Sequence, residues 1–214
     1  MTDDFKHKGK REQLIQALRK KGIDDENVLN AINQVPRHLF IDSAFEEFAY
    51  QDKAFPIAAG QTISHPYTVA KQTSLLHVSK GDKVLEVGTG SGYQTAVLVA
   101  LGAEVYTIER QKELFDFSHR IFKKIRIRPK YETYGDGYKG LPAFAPFDRI
   151  IVTAGSPVIP KSLLQQLKIG GIMVIPLGKE NQKMTTFLRI NEKDFEKMEF
   201  GDCQFVPMLE RKEK

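Results

Sequence analysis

The chain predicts an α/β fold: a doubly wound, mostly parallel open sheet, with helices ahead of it and an antiparallel hairpin behind it. Three observations carry this. From Lys83 onward, short apolar runs alternate with segments of helical periodicity. The stretch Lys83 to Ala96, KVLEVGTGSGYQTA, passes abruptly from an apolar run into Gly88, Gly90 and Gly92 and then into a helical pattern. Near the end, Met184 to Ile190 and Phe195 to Phe200 flank Asn191 to Asp194, a hairpin signature that closes the alternation.

Composition bounds the rest. The 214 residues, 41% hydrophobic, suffice for one domain with an ordinary core. We expect a single unit over 1–214, divided into an N-terminal helical and substrate-gripping segment 1–80, a core 81–178 and a hairpin with tail 179–214. The start, MTDDFKHKGKREQ, lacks the apolar centre of a secretory signal, and no apolar run reaches membrane-spanning length. The lone Cys203 excludes an internal disulfide and a cysteine-based metal cluster, so a cytoplasmic address is expected. The net charge of +5, from 32 basic and 27 acidic residues, is a mild bias only. Its densest run, Arg120 to Lys130, suits a solvated helix end better than a nucleic-acid groove.

In chain order, Leu14, Ile15 and Leu18 predict a helix stopped at Gly22, and Val28, Leu29, Ile32 and Val35 a second one, capped by Asp24 or Asp25 and ended by Pro36. Both should pack as a lid or flank on the main sheet. Pro66 opens a helix to about Leu76, with Thr62, Ser64 and His65 at its mouth. Taken alone, Ser64 reads as an N-cap and His65 as a surface or capping residue.

Val84 to Val87 forms the opening strand, and a helix follows from Tyr93 to Leu101. The glycines space as GxGxG, with Tyr93 where a dinucleotide fingerprint has its third glycine, and no Lys follows as in a phosphate loop. By itself the loop fits a structural turn or a nucleoside cradle equally. Glu104 to Glu109 is the next strand, and Glu109 lies 21 residues beyond Gly88 (109 − 88), where a carboxylate can accept from ribose hydroxyls. Helix Gln111 to Ile125 leads to strand Tyr131 to Tyr134, after which Asp136 sits between Gly135 and Gly137; alone it reads as a turn. Phe147 to Ala154 is a buried strand ending near Thr153. A helix Lys161 to Leu167, a turn at Gly170 and Gly171, and a strand Ile172 to Ile175 stopped by Pro176 complete the alternation.

In such a sheet a ligand sits at the carboxyl ends of the strands, where the glycine loop, Glu109, Asp136 and Thr153 all fall. A ligand with an adenosine part and no need of a phosphate-binding Lys fits S-adenosylmethionine, which makes methyl transfer the leading chemistry. The segments GQTISHP, VLEVGTGSGYQTA, VYTIER, GDGYKGLP, FDRIIVTAG, LLQQLKIGGIMVIPLG and FVPM, in this order, resemble the protein L-isoaspartate O-methyltransferase family over nearly the whole chain. The resemblance implies a class I, Rossmann-like methyltransferase fold whose last two strands are exchanged relative to most methyltransferases.

The same resemblance implies roles. Gly88, Thr89, Gly90 and Gly92 would hold the methionyl part of S-adenosylmethionine, Glu109 its ribose, and Asp136 with Gly137 its adenine. Glu86 and Arg110, beside these motifs, join the cofactor set. Ser64 matches the catalytic serine, and Thr62, His65 and Thr153 join it around the substrate. His65, often Gln in related bacterial sequences, and Gln204, often Arg, bear on how the peptide is gripped. The implied activity is methylation of the free α-carboxylate of L-isoaspartyl residues in damaged proteins, yielding S-adenosylhomocysteine and an ester that closes to a succinimide and opens partly to aspartate. No metal, membrane or nucleic acid is implied, the substrates are flexible isoaspartyl segments, and a monomer is expected. The alternatives are an S-adenosylmethionine-dependent RNA methyltransferase and a non-enzymatic nucleotide-binding protein on the same fold.

Overall fold

In the computed structural model, which describes residues 3–213, the chain begins with helices α1 (Phe5–Lys20) and α2 (Glu26–Gln34). Asp25 caps α2 by accepting from the Asn27 and Val28 N–H groups, both at 3.1 Å. A two-stranded ribbon follows, β1 (Phe55–Pro56) against β2 (Thr62–Ile63), then α3 (Pro66–Leu76). The core continues through β3 (Lys83–Val87), α4 (Tyr93–Ala100), β4 (Glu104–Glu109), α5 (Lys112–Ile125), β5 (Tyr131–Tyr134), β6 (Phe147–Val152) and α6 (Lys161–Gln165). It closes with β7 (Leu167–Leu177), β8 (Gln182–Arg189) and β9 (Phe195–Cys203).

The seven-stranded sheet has the order β5-β4-β3-β6-β7-β8-β9, parallel from β5 to β7 and antiparallel from β7 to β9. The last strand therefore lies at the edge rather than between its two predecessors, as the exchanged order requires. Side chains alternate across the sheet with the period of two that a strand dictates. Leu85, Ile150 and Met173 face one core with Leu163 of α6, while Val84, Ile151 and Val174 face a second core with Leu76 of α3 and Leu98 of α4. Burial on both faces is why these strands read as continuous apolar runs.

Two expectations change. The strand read as Ile172 to Ile175 runs from Leu167 to Leu177, through both glycines and Pro176, and takes over the end of the expected helix. Pro176 is tolerated because its carbonyl accepts from the Ser156 N–H at 2.9 Å, on the side where β6 has already ended. Its missing N–H faces that same side and removes no ladder bond. Secondly, α1 and α2 do not cover the sheet. Leu18, Val28, Leu29 and Ile32 pack with Val69 and Ala70 of α3 and Tyr93, Ala96 and Val97 of α4, making a second helical layer outside the first.

That outer layer holds polar groups that sequence pattern does not announce. Arg11 takes both Asp3 carboxylate oxygens, at 3.0 and 3.1 Å, and His7 stacks on His38 with ring centroids 3.8 Å apart. Arg37 is wholly buried; its Nε donates to the Ala49 carbonyl at 2.9 Å and its Nη2 to that of Lys53 at 3.2 Å. Its guanidinium lies 4.9 Å from the centre of the Tyr93 ring, the first residue of α4. Burial lowers its pKa to about 10, which leaves it charged at neutral pH. Arg37 thus ties the N-terminal layer to the helix that follows the glycine loop. Arg37→Ala should destabilise the protein by about 3 kcal/mol in urea denaturation, since two buried carbonyls lose their donor and a cavity opens beside Tyr93.

Candidate active site

The carboxyl ends of β3, β4 and β6 meet at one cleft, and the glycine loop forms its floor. Gly88 and Gly92 have φ of 98° and 89°, which only glycine adopts without strain. Both are also crowded: a Cβ at Gly88 would lie 2.5 Å from Thr153 Oγ1, and one at Gly92 2.6 Å from the Phe122 ring. The loop therefore turns where two neighbours press on it, and α4 starts directly afterwards without a side-chain cap. Its first N–H, that of Tyr93, donates to the Ser91 hydroxyl at 3.4 Å, so the loop itself takes up the start of the helix.

Two side chains lock the loop from adjacent strands. Glu109, only 4% exposed at the end of β4, accepts from the Gly90 N–H through Oε2 and from the Gln111 N–H through Oε1, both at 2.8 Å. Each oxygen keeps a lone pair for a further donor. Burial raises its pKa, and the backbone N–H groups oppose that rise. Thr153 follows β6, and its hydroxyl donates to the carbonyls of Gly88, at 2.6 Å, and Val87, at 3.0 Å. Thr153 lines the cleft, but its proton is engaged in holding the loop.

Ser64 and Thr62 line the same cleft from the ribbon before α3. The cap of α3 is His65, without a side-chain cap bond, so Ser64 is not the N-cap that its position suggests. Gly88, Thr89, Gly90, Glu109, Arg110, Gly137 and Thr153 are brought together with Ser64 around this cleft. Four expected residues lie outside its lining. His65 is exposed, Gly92 sits behind the loop against Phe122, Asp136 accepts from the Tyr138 N–H at 3.0 Å as the cap of a short turn, and Glu86 is fully buried beneath the loop.

Other lining residues were not expected. Gln72 of α3 donates to the Val152 carbonyl at 2.7 Å, and Gln94 of α4 to the Thr73 hydroxyl at 3.0 Å, each presenting a buried polar group at the cleft wall. The available signal was a glutamine on the apolar face of a predicted helix. The tail also enters: Gly155 donates to the Val206 carbonyl and Met208 to that of Gly155, both at 2.8 Å, laying Val206 to Leu209 along the cleft. Farther on, Arg110 Nε donates to the Arg211 carbonyl at 3.0 Å and Nη1 to Glu213 at 3.4 Å, so its side chain secures the tail.

A parallel sheet whose glycine loop, ribose-range carboxylate and apolar walls of Val87, Ile108 and Leu114 meet at the switch of strand order defines a class I methyltransferase. The comparisons give the particular family. The model of protein-L-isoaspartate(D-aspartate) O-methyltransferase matches residues 9–213. Proteins named protein-L-isoaspartate O-methyltransferase from Flavobacterium johnsoniae and Christiangramia forsetii are 64% and 61% identical, each over 99% of this chain and 100% of the relative. A solved Plasmodium falciparum structure, described as a protein-L-isoaspartate O-methyltransferase in complex with S-adenosyl-L-homocysteine, is 27% identical. It superposes with a TM-score of 0.83 over 95% of this chain and 98% of its own. The chain belongs to the protein-L-isoaspartate(D-aspartate) O-methyltransferase family.

Glu86 has a measurable signature. Burial raises its pKa to about 8, with Glu109 adding to the rise and the Thr95 and Thr107 hydroxyls opposing it. A carboxyl that keeps its proton when folded but loses it above about 4.5 when unfolded stabilises the fold at low pH, and that stabilisation is lost as pH rises to about 8. Glu86→Gln should therefore remove this decline, making the variant more stable than wild type at pH 8 by on the order of 3 kcal/mol and closing the gap near pH 4.5 in urea titrations.

Proposed function

We propose that this enzyme methylates the free α-carboxylate of L-isoaspartyl residues in damaged proteins, using S-adenosylmethionine, with Ser64 at the point where acceptor meets donor. The single observation that carries the site assignment is the position of Ser64: released from capping α3, it faces the cleft whose opposite wall is the glycine loop. Family membership supplies the substrate class and the donor.

The residues present suit that donor. Gly88 and Gly90 let the backbone come close to its methionyl part, and Thr89 lines the cleft with a hydroxyl. Glu109 has a lone pair on each oxygen for the ribose hydroxyls, and Ile108, Leu114 and Met208 provide apolar surface for adenine, with Gly137 and the turn capped by Asp136 at its edge. Arg110 acts on this end by holding the tail, and Glu86 acts from beneath the loop. Thr62 and Thr153 join Ser64 on the acceptor side, and exposed His65 meets the peptide outside the cleft.

When bound, S-adenosylmethionine supplies a methyl group on a positively charged sulfur, which departs as a neutral thioether. The acceptor needs no base. An α-carboxyl ionises near pH 3.3 to 3.7, so it arrives as a carboxylate at neutral pH. The protein has to bring one carboxylate oxygen in line with the methyl carbon, roughly 3 Å away, and keep water out. The Ser64 hydroxyl donates to the carboxylate and fixes which oxygen attacks, while the Val206 to Leu209 segment closes the cleft to solvent.

The wider assignments belong to the same proposal. Segment 1–80 grips the peptide, 81–178 holds the donor and 179–214 completes the cleft wall. The half-buried single cysteine, Cys203, supports a reducing, cytoplasmic setting. A monomer is proposed, and light scattering on the purified protein tests it. Among the described residues no helix is long and apolar enough to cross a membrane. None of the Arg120 to Lys130 cations lines the cleft, which leaves the basic run without a part in the reaction.

Labelled methyl transfer to matched isoaspartyl and aspartyl peptides and to transfer RNA tests the activity; the isoaspartyl peptide alone should take the label, and label confined to RNA would overturn the reading. Ser64→Ala should lower kcat about tenfold to a hundredfold while cofactor affinity by calorimetry changes less than twofold. Glu109→Ala should weaken cofactor binding by about tenfold or more, through lost ribose contacts and a loosened loop.

A further inference from the structure

Among the polar residues that line the cleft, Gln72 of α3 is the most deeply buried, at 1% exposed. Its amide nitrogen donates to the carbonyl of Val152, the last residue of β6, at 2.7 Å. That bond fixes which way round the amide stands, since the reverse would set its oxygen against the carbonyl oxygen. The Oε1 atom is therefore the free end of the group. It accepts from no donor among the described residues and is not sealed off from solvent, so it opens on the cleft that Gln72 lines.

The neighbouring strand ends have the same character. Thr153 follows Val152, and its one hydroxyl proton is shared between the carbonyls of Gly88, at 2.6 Å, and Val87, at 3.0 Å. Its oxygen keeps only lone pairs for a ligand. Where β3 and β6 end, the cleft thus has a corner whose side chains present two acceptors, Thr153 Oγ1 and Gln72 Oε1. Arg110 is the one basic residue of the lining, and its guanidinium is turned to the tail. No protein cation bonds to these oxygens among the described residues. A buried acceptor without a donor is unfavourable until a ligand brings the proton. Such a corner repels carboxylate and phosphate oxygens and suits a group with N–H protons and a positive charge.

We propose that Gln72 binds the ammonium group of the methyl donor, its amide oxygen accepting one N–H at the corner where β3 and β6 end. The proposal rests on the glycine loop holding the methionyl part of that donor, because Gly88 belongs both to the loop and to this corner. An α-amine is protonated at neutral pH, so the group arrives charged. The bond to Val152 orients the amide before the ligand enters, which reduces the ordering that binding requires. S-adenosylhomocysteine keeps the same ammonium, so the contact persists through the reaction. It therefore lowers KM rather than raising kcat.

The test is calorimetry on the intact chain at pH 7, comparing S-adenosylhomocysteine with the analogue in which hydrogen replaces its amino group. The wild type should bind the amine-bearing ligand at least about tenfold more tightly, and equal affinities overturn the proposal before any variant is made. Gln72→Met keeps the length of the side chain and removes its oxygen. It should weaken S-adenosylhomocysteine about tenfold and leave the analogue within about twofold. A loss shared equally by both ligands marks a structural role only and overturns the proposal. Gln72→Leu repeats the comparison should the methionine variant fail to fold, with circular dichroism as the check on each. In the methyl-transfer assay, KM for S-adenosylmethionine should rise by more than kcat falls. If KM rises instead for the isoaspartyl peptide while both nucleoside ligands bind as before, the oxygen serves the peptide and the proposal is overturned. Failure of the wild type to bind either ligand overturns instead the assignment of the cleft to the methyl donor.

Discussion

The left-handed turn at Gly88 is the constraint on which the rest of the site depends. A strand that must stop, reverse its local twist and start a helix within five residues has few backbone routes, and this one is held by groups from two neighbouring strands. Thr153 caps the turn from β6 through the Gly88 carbonyl, and Glu109 draws in the Gly90 N–H from β4. Because the strands are parallel and in register, their ends arrive at the same level. The cleft is a consequence of sheet topology before it is a matter of side-chain chemistry.

The same three strand ends also decide the electrostatics. Two carboxyls, Glu86 and Glu109, lie on one face of the sheet beneath the loop. They are told apart by their partners: Glu109 receives backbone N–H groups and opens on the cleft, whereas Glu86 is shut in and meets only the Thr95 hydroxyl. The cleft therefore has one carboxyl held by backbone N–H groups at its wall and a second enclosed below its floor. Around this centre the outer helical layer is bound in through Arg37 and Tyr93, and the tail through Gly155 and Arg110. Both attachments end on residues adjoining the cleft, so the periphery of the fold is coupled to the site by packing and hydrogen bonds.

Much of this was legible in the amino-acid order. The bounds of α3, β4 and β5 agree with the periodicity to the residue, because each is framed by a proline, a glycine or a charged strand end. The elements that were misread are those where a local signal lost to a ladder. Gly170, Gly171 and Pro176 look like breaks, but β7 runs through them because β6 pairs with it on both sides of the glycines across a shift of register, β8 pairs with it from Ile172 to Leu177, and Pro176 meets no donor demand. The ribbon of β1 and β2 was invisible, since two residues a side are too few to show alternation. Gln72, Gln94 and the Val206 to Leu209 strap were missed for a different reason: each gains meaning only from what it touches far away in the chain.

By itself the sequence determined the parallel sheet, the glycine loop, the spacing from Gly88 to Glu109 and, through its motifs, the family to which the chain belongs. These are properties of local order and of chain spacing, and both are written along one dimension. Only the tertiary structure decided that Ser64 faces the cleft rather than capping α3, that Arg110 is occupied by the tail, and that Glu86 lies under the loop without lining the cleft. The physical reason is the same in each case. Whether a polar side chain caps, binds or stands neutral depends on which donors, acceptors and charges surround it, and those come from other strands and helices, brought within a few ångströms only when the sheet has closed.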